Sequence, residues 1–322
     1  MKLRTSILAA LIGTIVSGQT LAAVTAEEAA KLKTTLTPMG AEKAANKDGS
    51  IPAWTGGNAK APAGYKSGTT RPDFFADEKS VYTVDATNMD KYADKLTDGV
   101  KGLLKKYPDF KLKVYPTHRS AAAPQWVYDN TAKNATRAKL IDNGFGVEGA
   151  YGGIPFPIPK SGNEIMWNHV LTWQGESVSH PSLCWLVTGD GKVSLVSQGE
   201  QNKISPYYVK DGSLEGYKGI YLFGRYVQSA PSSKAGEAIL VHETSSSANQ
   251  RGIWQYLVGQ RRVRRAPAVS YDTPDSVTSG IGFFDEAFMQ FGPFDHHDYK
   301  LIGKKEILIP YNNNKAAAAK PE

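Results

Sequence analysis

The chain has 322 residues, a formal charge of +7, one cysteine and a mean hydropathy of -0.38. One thiol excludes an internal disulfide, the mild basic surplus carries no argument for nucleic acid, and no apolar run past the N-terminus has the length of a membrane-spanning helix. The many glycines, tyrosines and tryptophans suit an antiparallel sheet with frequent turns better than a helical bundle.

Met1-Lys2-Leu3-Arg4 forms a short positive region before an uncharged stretch, Ile7 to Val16, too short to cross a bilayer. Thr20 and Ala22 give the small-residue spacing that signal peptidase reads, so residues 1–22 are expected to be a signal peptide, with a cut near Ala26 as the alternative. A lipid anchor would need a cysteine directly after the cut, whereas Cys184 lies far inside the chain. The expected location is the periplasm, free of the membrane or peripheral at the outer membrane.

Residues 23–85 are expected to form an extended arm, because Thr37 to Gly64 holds too many glycines and prolines for a regular element. Trp54 is its candidate anchor. Met89, Tyr92, Leu96, Val100, Leu103 and Tyr107 recur at helical spacing, with Asn88 as cap and Pro108 as stop. Phe110, Leu112 and Val114 alternate like a half-buried strand, and a second helix is expected from Pro124 to about Leu140. Gly152 to Pro159 reads Gly-Gly-Ile-Pro-Phe-Pro-Ile-Pro, a stiff apolar connector. Ser161 and Glu164 have capping-box spacing ahead of a helix over Ile165 to Trp173.

Short strands separated by turns follow: Leu183 to Thr188, Lys192 to Gln198, Ile220 to Gln228, Ala238 to Thr244, Ile253 to Val258, Arg261 to Ala266 and Asp298 to Tyr311. They read as a meander of hairpins inside one domain, 86–311, ahead of a low-complexity tail, 312–322, expected to be disordered.

Several segments together resemble one family. They are Leu36-Thr37-Pro38-Met39-Gly40-Ala41-Glu42-Lys43, Ile51-Pro52-Ala53-Trp54-Thr55-Gly56-Gly57, Val114-Tyr115-Pro116-Thr117, Gly153-Ile154-Pro155-Phe156-Pro157-Ile158-Pro159, Trp167-Asn168-His169, His242-Glu243-Thr244, and Gln260-Arg261-Arg262-Val263-Arg264-Arg265-Ala266-Pro267 with Tyr271-Asp272. The chain is similar to the domain of unknown function 1329 proteins, often labelled outer-membrane lipoprotein-sorting proteins and akin to the LolA/LolB superfamily. The resemblance implies an α+β fold: a strongly curved antiparallel sheet, an incomplete β-barrel, with helices on its concave face around an apolar cavity. Members usually continue through further strands where this chain enters its Asn and Ala tail, which implies a truncated form or a shorter sheet.

Within that expectation, Phe156, Ile158, Trp167, Trp173, Trp254, Tyr256, Phe283, Phe284, Phe288, Met289 and Phe291 are candidates for lining the cavity, where each buried methylene contributes about 0.8 kcal/mol. Ordinary core packing explains the same residues. Arg261, Arg262, Arg264 and Arg265 crowd one hairpin and form a candidate footprint for an anionic headgroup or acidic partner. The competing explanation is a solvated edge whose arginines pair with Asp272, Asp275 or Glu286. Asp295-His296-His297-Asp298 lacks a third spaced ligand, so no metal is expected. His169 and His242 lack a nucleophile elbow, and Cys184 lacks positive neighbours, so no catalytic residue is assigned. No cofactor motif is present.

The resulting expectation is a non-enzymatic carrier or chaperone for a lipid, lipoprotein acyl chain or other amphipathic ligand, passing it to a membrane-bound transporter or outer-membrane protein. The alternatives are a periplasmic adaptor that docks to an exporter or channel without a ligand, and a hydrolase of a hydrophobic ester.

Overall fold

Alternating side chains and closely spaced turns make the C-terminal half a sheet. The computed structural model describes residues 23–69, 72–246, 249, 251–266 and 269–314; the expected signal peptide and the end of the tail, 315–322, lie outside the described residues. Six antiparallel strands run in the order β10-β9-β8-β7-β6-β5: β5 Ser177–Val187, β6 Val193–Ile204, β7 Ile220–Ala230, β8 Ala238–Thr244, β9 Gly252–Leu257 and β10 Arg262–Arg265. The sheet does not close into a barrel, since β5 and β10 are both edges. The fold is α+β.

Register fixes which side chains share a face. Lys203, Gly224, Val241 and Ile253 form one cross-strand row, with Leu222 opposite Glu243 in the next. This inner face buries Val241, Glu243 and Ile253. The outer face carries Phe223, Arg225, Leu240, His242 and Trp254, and leaves Leu240 and Ile204 exposed.

Among the described residues, four helices precede or flank the sheet: α1 Ala26–Ala30, α2 Asp98–Lys106, α3 Gln125–Arg137 and α4 Gly162–Val170. Two short antiparallel pairs accompany them, β1 Tyr82–Val84 with β2 Leu112–Val114, and the hairpin of β3 Lys139–Ile141 with β4 Gly146–Glu148. The larger core gathers Val127, Phe156, Trp167, Leu171, Tyr207, Tyr208, Tyr221 and Phe294 between α3, α4 and the sheet. A separate small core of Val84, Met89, Leu96 and Leu104 lies under β1, β2 and α2.

The Gly-Pro connector is tied to α3 by Asn134, which is fully buried. Asn134 Nδ2 donates to the carbonyls of Gly153 (3.0 Å), Tyr151 and Ile154 (3.3 Å each), while its Oδ1 accepts from the Tyr151 amide at 3.1 Å. The capping box forms at α4: Ser161 Oγ accepts from the Glu164 amide, and Glu164 reaches back to the Ser161 N–H. In the N-terminal segment, Trp54 Nε1 donates to the Ala121 carbonyl at 3.2 Å and its ring meets Tyr128 edge-on. Arg119 donates to the carbonyls of Glu42, Lys43 and Pro52, pinning the same segment.

Three expected elements differ. The helix over Met89 to Tyr107 is two pieces, a 3-10 turn Met89–Lys95 and α2, because Thr97 caps the second piece with its Oγ1 accepting from the Val100 amide. Asn88 does not cap the first piece; its amide donates backward to the Thr83 carbonyl. Leu140 leaves α3 and pairs with Val147 in the β3–β4 hairpin. Asp298 to Tyr311 alternates like a strand yet joins no ladder, its Leu308 amide donating singly to the Lys95 carbonyl at 2.9 Å.

Candidate functional site

A cleft of about 90 Å³ opens between the C-terminal end of α4, the inner face of β6 and β7, and the segment around Phe288. Its floor is aromatic and rigid. Tyr207 and Tyr208 are buried and meet edge-on with centroids 4.9 Å apart; Tyr208 Oη donates to the Leu171 carbonyl at 2.6 Å and Tyr207 Oη to the Gly153 carbonyl at 2.7 Å. Burial pushes the phenol pKa values of Tyr207, Tyr208 and Tyr221 far above the usual range, so all three are neutral.

Lys203 lines the cleft from the inner face of β6, one residue before the strand ends. Its Nζ lies 3.4 Å from the centre of the Phe288 ring, and among the described residues it has neither an ion pair nor a hydrogen bond. Burial lowers its pKa, the expected response of an ammonium removed from water without a counter-charge.

Phe288 is the lid. It is 45% exposed, with one side of its ring on Lys203, and both Phe288 and Met289 hold left-handed backbone, φ +55° and +69°. Two successive non-glycine residues in that region cost about 1–2 kcal/mol each. His169, at the end of α4, donates through Nε2 to the Phe288 carbonyl at 2.9 Å and tethers the lid.

Beside the cleft, Arg251 latches the covering segment to the sheet. Its Nε donates to Glu243 Oε1 at 2.5 Å and its Nη1 to the Val269 carbonyl at 2.8 Å, while the guanidinium lies 5.6 Å from the rings of Phe284 and of Phe291. Burial pushes the Glu243 carboxyl up to about 7, against the pull of Arg251. Phe294 anchors the far end by packing on Trp167 at 5.0 Å.

The structure brings together only part of the apolar set singled out from the sequence. Phe288 and Phe291 line the cleft. Phe156, Trp167 and Trp173 pack in the core beneath it, and Ile158 sits apart, near Val24. Phe284 packs at the latch, Phe283 is 40% exposed and Met289 85% exposed. Trp254 lies on the outer face, its ring 4.8 Å from His242, and Tyr256 shares its phase on β9.

The arginine hairpin is the exposed edge of the sheet. Arg261 sits in the turn with φ +50°, Arg262, Arg264 and Arg265 follow on β10, and Arg264 Nη1 donates to Gln260 Oε1 at 2.9 Å. Arg261, Arg262 and Arg264 make no ion pair among the described residues; Asp275 instead faces Cys184 and Lys234.

His242 and Glu243 point to opposite faces, and His242 is packed between Phe223 and Trp254, where burial lowers its pKa. Neither His169 nor His242 bonds a hydroxyl or carboxylate among the described residues. His296 stacks on Tyr271 at 3.4 Å, Tyr271 Oη donates to Asp295 at 2.6 Å, and no group of three or more His, Cys, Asp or Glu among the described residues is arranged to hold a metal. Burial and the charge of Asp275 raise the Cys184 pKa, the opposite of an activated thiol.

Sequence reasoning passes over Lys203, Arg251 and the pairing of Glu243. The signal for Lys203 is its phase: it follows Gly199 and Gln201 at two-residue steps, which points a lysine inward.

The family model for a protein of unknown function, DUF1329, matches residues 83–322. An uncharacterized protein of Pseudomonas aeruginosa, PA3922, is 42% identical over 303 residues, 94% of this chain. The chain spans 66% of that relative's length. No solved structure matches the chain. Among the described residues no helix is long and apolar enough to cross a membrane.

Proposed function

We propose, starting from the fact that this chain belongs to the DUF1329 family, that it is a periplasmic, non-enzymatic carrier or chaperone. It holds an amphipathic ligand, a lipid or a lipoprotein acyl chain, and hands it to a membrane-bound transporter or outer-membrane protein. In this reading the six strands form a bent, LolA/LolB-like incomplete barrel, with α4 and the segment bearing Phe288 on its concave face.

The observation that supports this best is the cleft, a hollow against the inner sheet face closed by one aromatic ring on strained backbone rather than by the core. As closed, its 90 Å³ is smaller than the roughly 150 Å³ apolar cavity that takes up benzene, so an acyl chain enters only with Phe288 swung out. The exposed arginines of the β10 edge support a second reading, an adaptor that docks to an exporter or channel and carries nothing. They would meet anionic headgroups at about 1 kcal/mol per charge.

Native mass spectrometry of protein purified from its own cells without detergent tests the carrier. A bound mass of lipid size, lost on organic extraction, is the expected result. Ligand-free protein in repeated preparations would count heavily for the adaptor, and unchanged binding to anionic vesicles on replacing Arg262 and Arg264 by Ser would remove the electrostatic role of that edge.

A further inference from the structure

A lysine placed inside a ligand cleft without a counter-ion is an unfinished interaction. Lys203 Nζ makes no ion pair or hydrogen bond among the described residues, and the face of the Phe288 ring lies 3.4 Å from it. A ring quadrupole compensates an ammonium only partly, and the compensation weakens when the ring swings into solvent. Phe288 is also held in place against its own backbone preference, at φ +55°, by the hydrogen bond from His169 to its carbonyl. The closed state therefore has a cation ready for a better partner, under a lid ready to leave.

The rest of the lining mixes polar side chains, Gln174, Ser205 and Gln290, with apolar ones, Val170, Leu222 and Phe291. Resting on the carrier reading above, we infer that the ligand of this cleft bears an anionic head, a carboxylate or phosphate, which displaces the Phe288 ring and pairs with Lys203 while the hydrocarbon packs on the apolar side chains of the lining. Lifting the lid frees His169 Nε2 as a second donor to the same head. Burial favours the pair, because the depressed lysine pKa reflects the missing counter-charge that the ligand supplies.

Fluorescence titration of the whole protein with dodecanoate, dodecyl phosphate and uncharged dodecanol, all below their aggregation limits, tests this at neutral pH. Trp173, which touches the cleft floor at Tyr208, is the reporter. The acids are expected to bind at least about tenfold more tightly than dodecanol. Lys203→Met is expected to erase that preference and Lys203→Arg to retain it; melting temperatures of both variants control for folding. Equal affinity for acids and alcohol, or a preference that survives Lys203→Met, overturns the inference and leaves the carrier standing. Inorganic phosphate or acetate binding as tightly as the amphiphiles makes this a simple anion site and also overturns it. Failure of every dodecyl compound to bind removes the carrier reading itself.

Discussion

Replacing Asn134 by alanine removes the side chain that makes most of the hydrogen bonds between helix α3 and the Gly-Pro connector, leaving the Ile154 amide bonded to Thr131 Oγ1 at 3.0 Å. The Tyr151 amide would lose its Asn134 acceptor at 3.1 Å, and the carbonyls of Tyr151 and Ile154 their donor at 3.3 Å. Gly153 is spared, since its carbonyl also accepts from Tyr207 Oη at 2.7 Å. Asn134 is fully buried, so water cannot take over without opening the core. A buried N–H left without an acceptor costs about 1–3 kcal/mol, and the missing amide leaves a cavity worth roughly another 1 kcal/mol. With two carbonyls also weakened, the loss is expected to be about 3–5 kcal/mol, read as a lower urea midpoint at unchanged slope by tryptophan fluorescence. Asn134→Asp keeps the acceptor for Tyr151 but turns an oxygen toward three carbonyls. It is expected to destabilise at neutral pH and to recover in acid, where a protonated carboxyl donates again. A loss below about 1 kcal/mol for the alanine variant would refute the reasoning, because the connector would then be held by its remaining bonds to Thr131, Asn168 and Tyr207 and by packing.

Three further outcomes follow from other sites. Glu243 has a folded-state pKa raised by burial from 4.5 to about 7, so its contribution to stability is complete below 4.5 and is lost as pH rises through 7; thermal melts across that window are expected to show this slope in the wild type and not in Glu243→Gln. Gly40 has φ +89°, and a Cβ there would overlap the Pro157 carbonyl, so Gly40→Ala is expected to cost about 2 kcal/mol or more, measured by urea unfolding. Trp54→Ala removes the bond to Ala121 and the edge contact with Tyr128, and limited proteolysis is expected to cut between Gly56 and Gly64 faster while the remaining tryptophans report an unchanged melt.

What the sequence discloses here is what depends on neighbours a few residues away. The Ser161–Glu164 capping box forms because both partners lie within one turn, and β8 spans the residues its alternation predicts, Ala238–Thr244. The same alternation over Asp298 to Tyr311 yields no strand, since a strand exists only where a partner offers its edge. Asn88 shows the converse: its amide had two local uses, and the bond back to Thr83 prevailed over the forward cap. For the cleft, composition identified aromatic residues without the phase that sorts them. Trp254 and Tyr256 are in step with His242 on the outer face, while Lys203 is in step with Val241 on the inner one. Phe288 reaches the cleft through left-handed backbone that leaves no periodic trace.

The latch and the lid are neighbours that touch where the Phe288 and Phe291 rings meet, 5.9 Å between centroids, and this bears on how the cleft can open. Phe284 and Phe291 both flank Arg251, which is fixed to Glu243 on the sheet, and Phe294 is fixed in the core against Trp167. Between them, the two left-handed residues, Phe288 and Met289, concentrate the strain, and Met289 is almost wholly exposed. Return of these two residues to ordinary backbone relieves about 1–2 kcal/mol apiece, which roughly offsets loss of the His169 bond, worth about 1 kcal/mol, and of the ring contacts of Phe288 with Lys203 and Phe291. Opening at this point therefore leaves Arg251 and Phe294 in place, and the sheet-side wall formed by Lys203 and Leu222 does not have to move for the cleft to be entered.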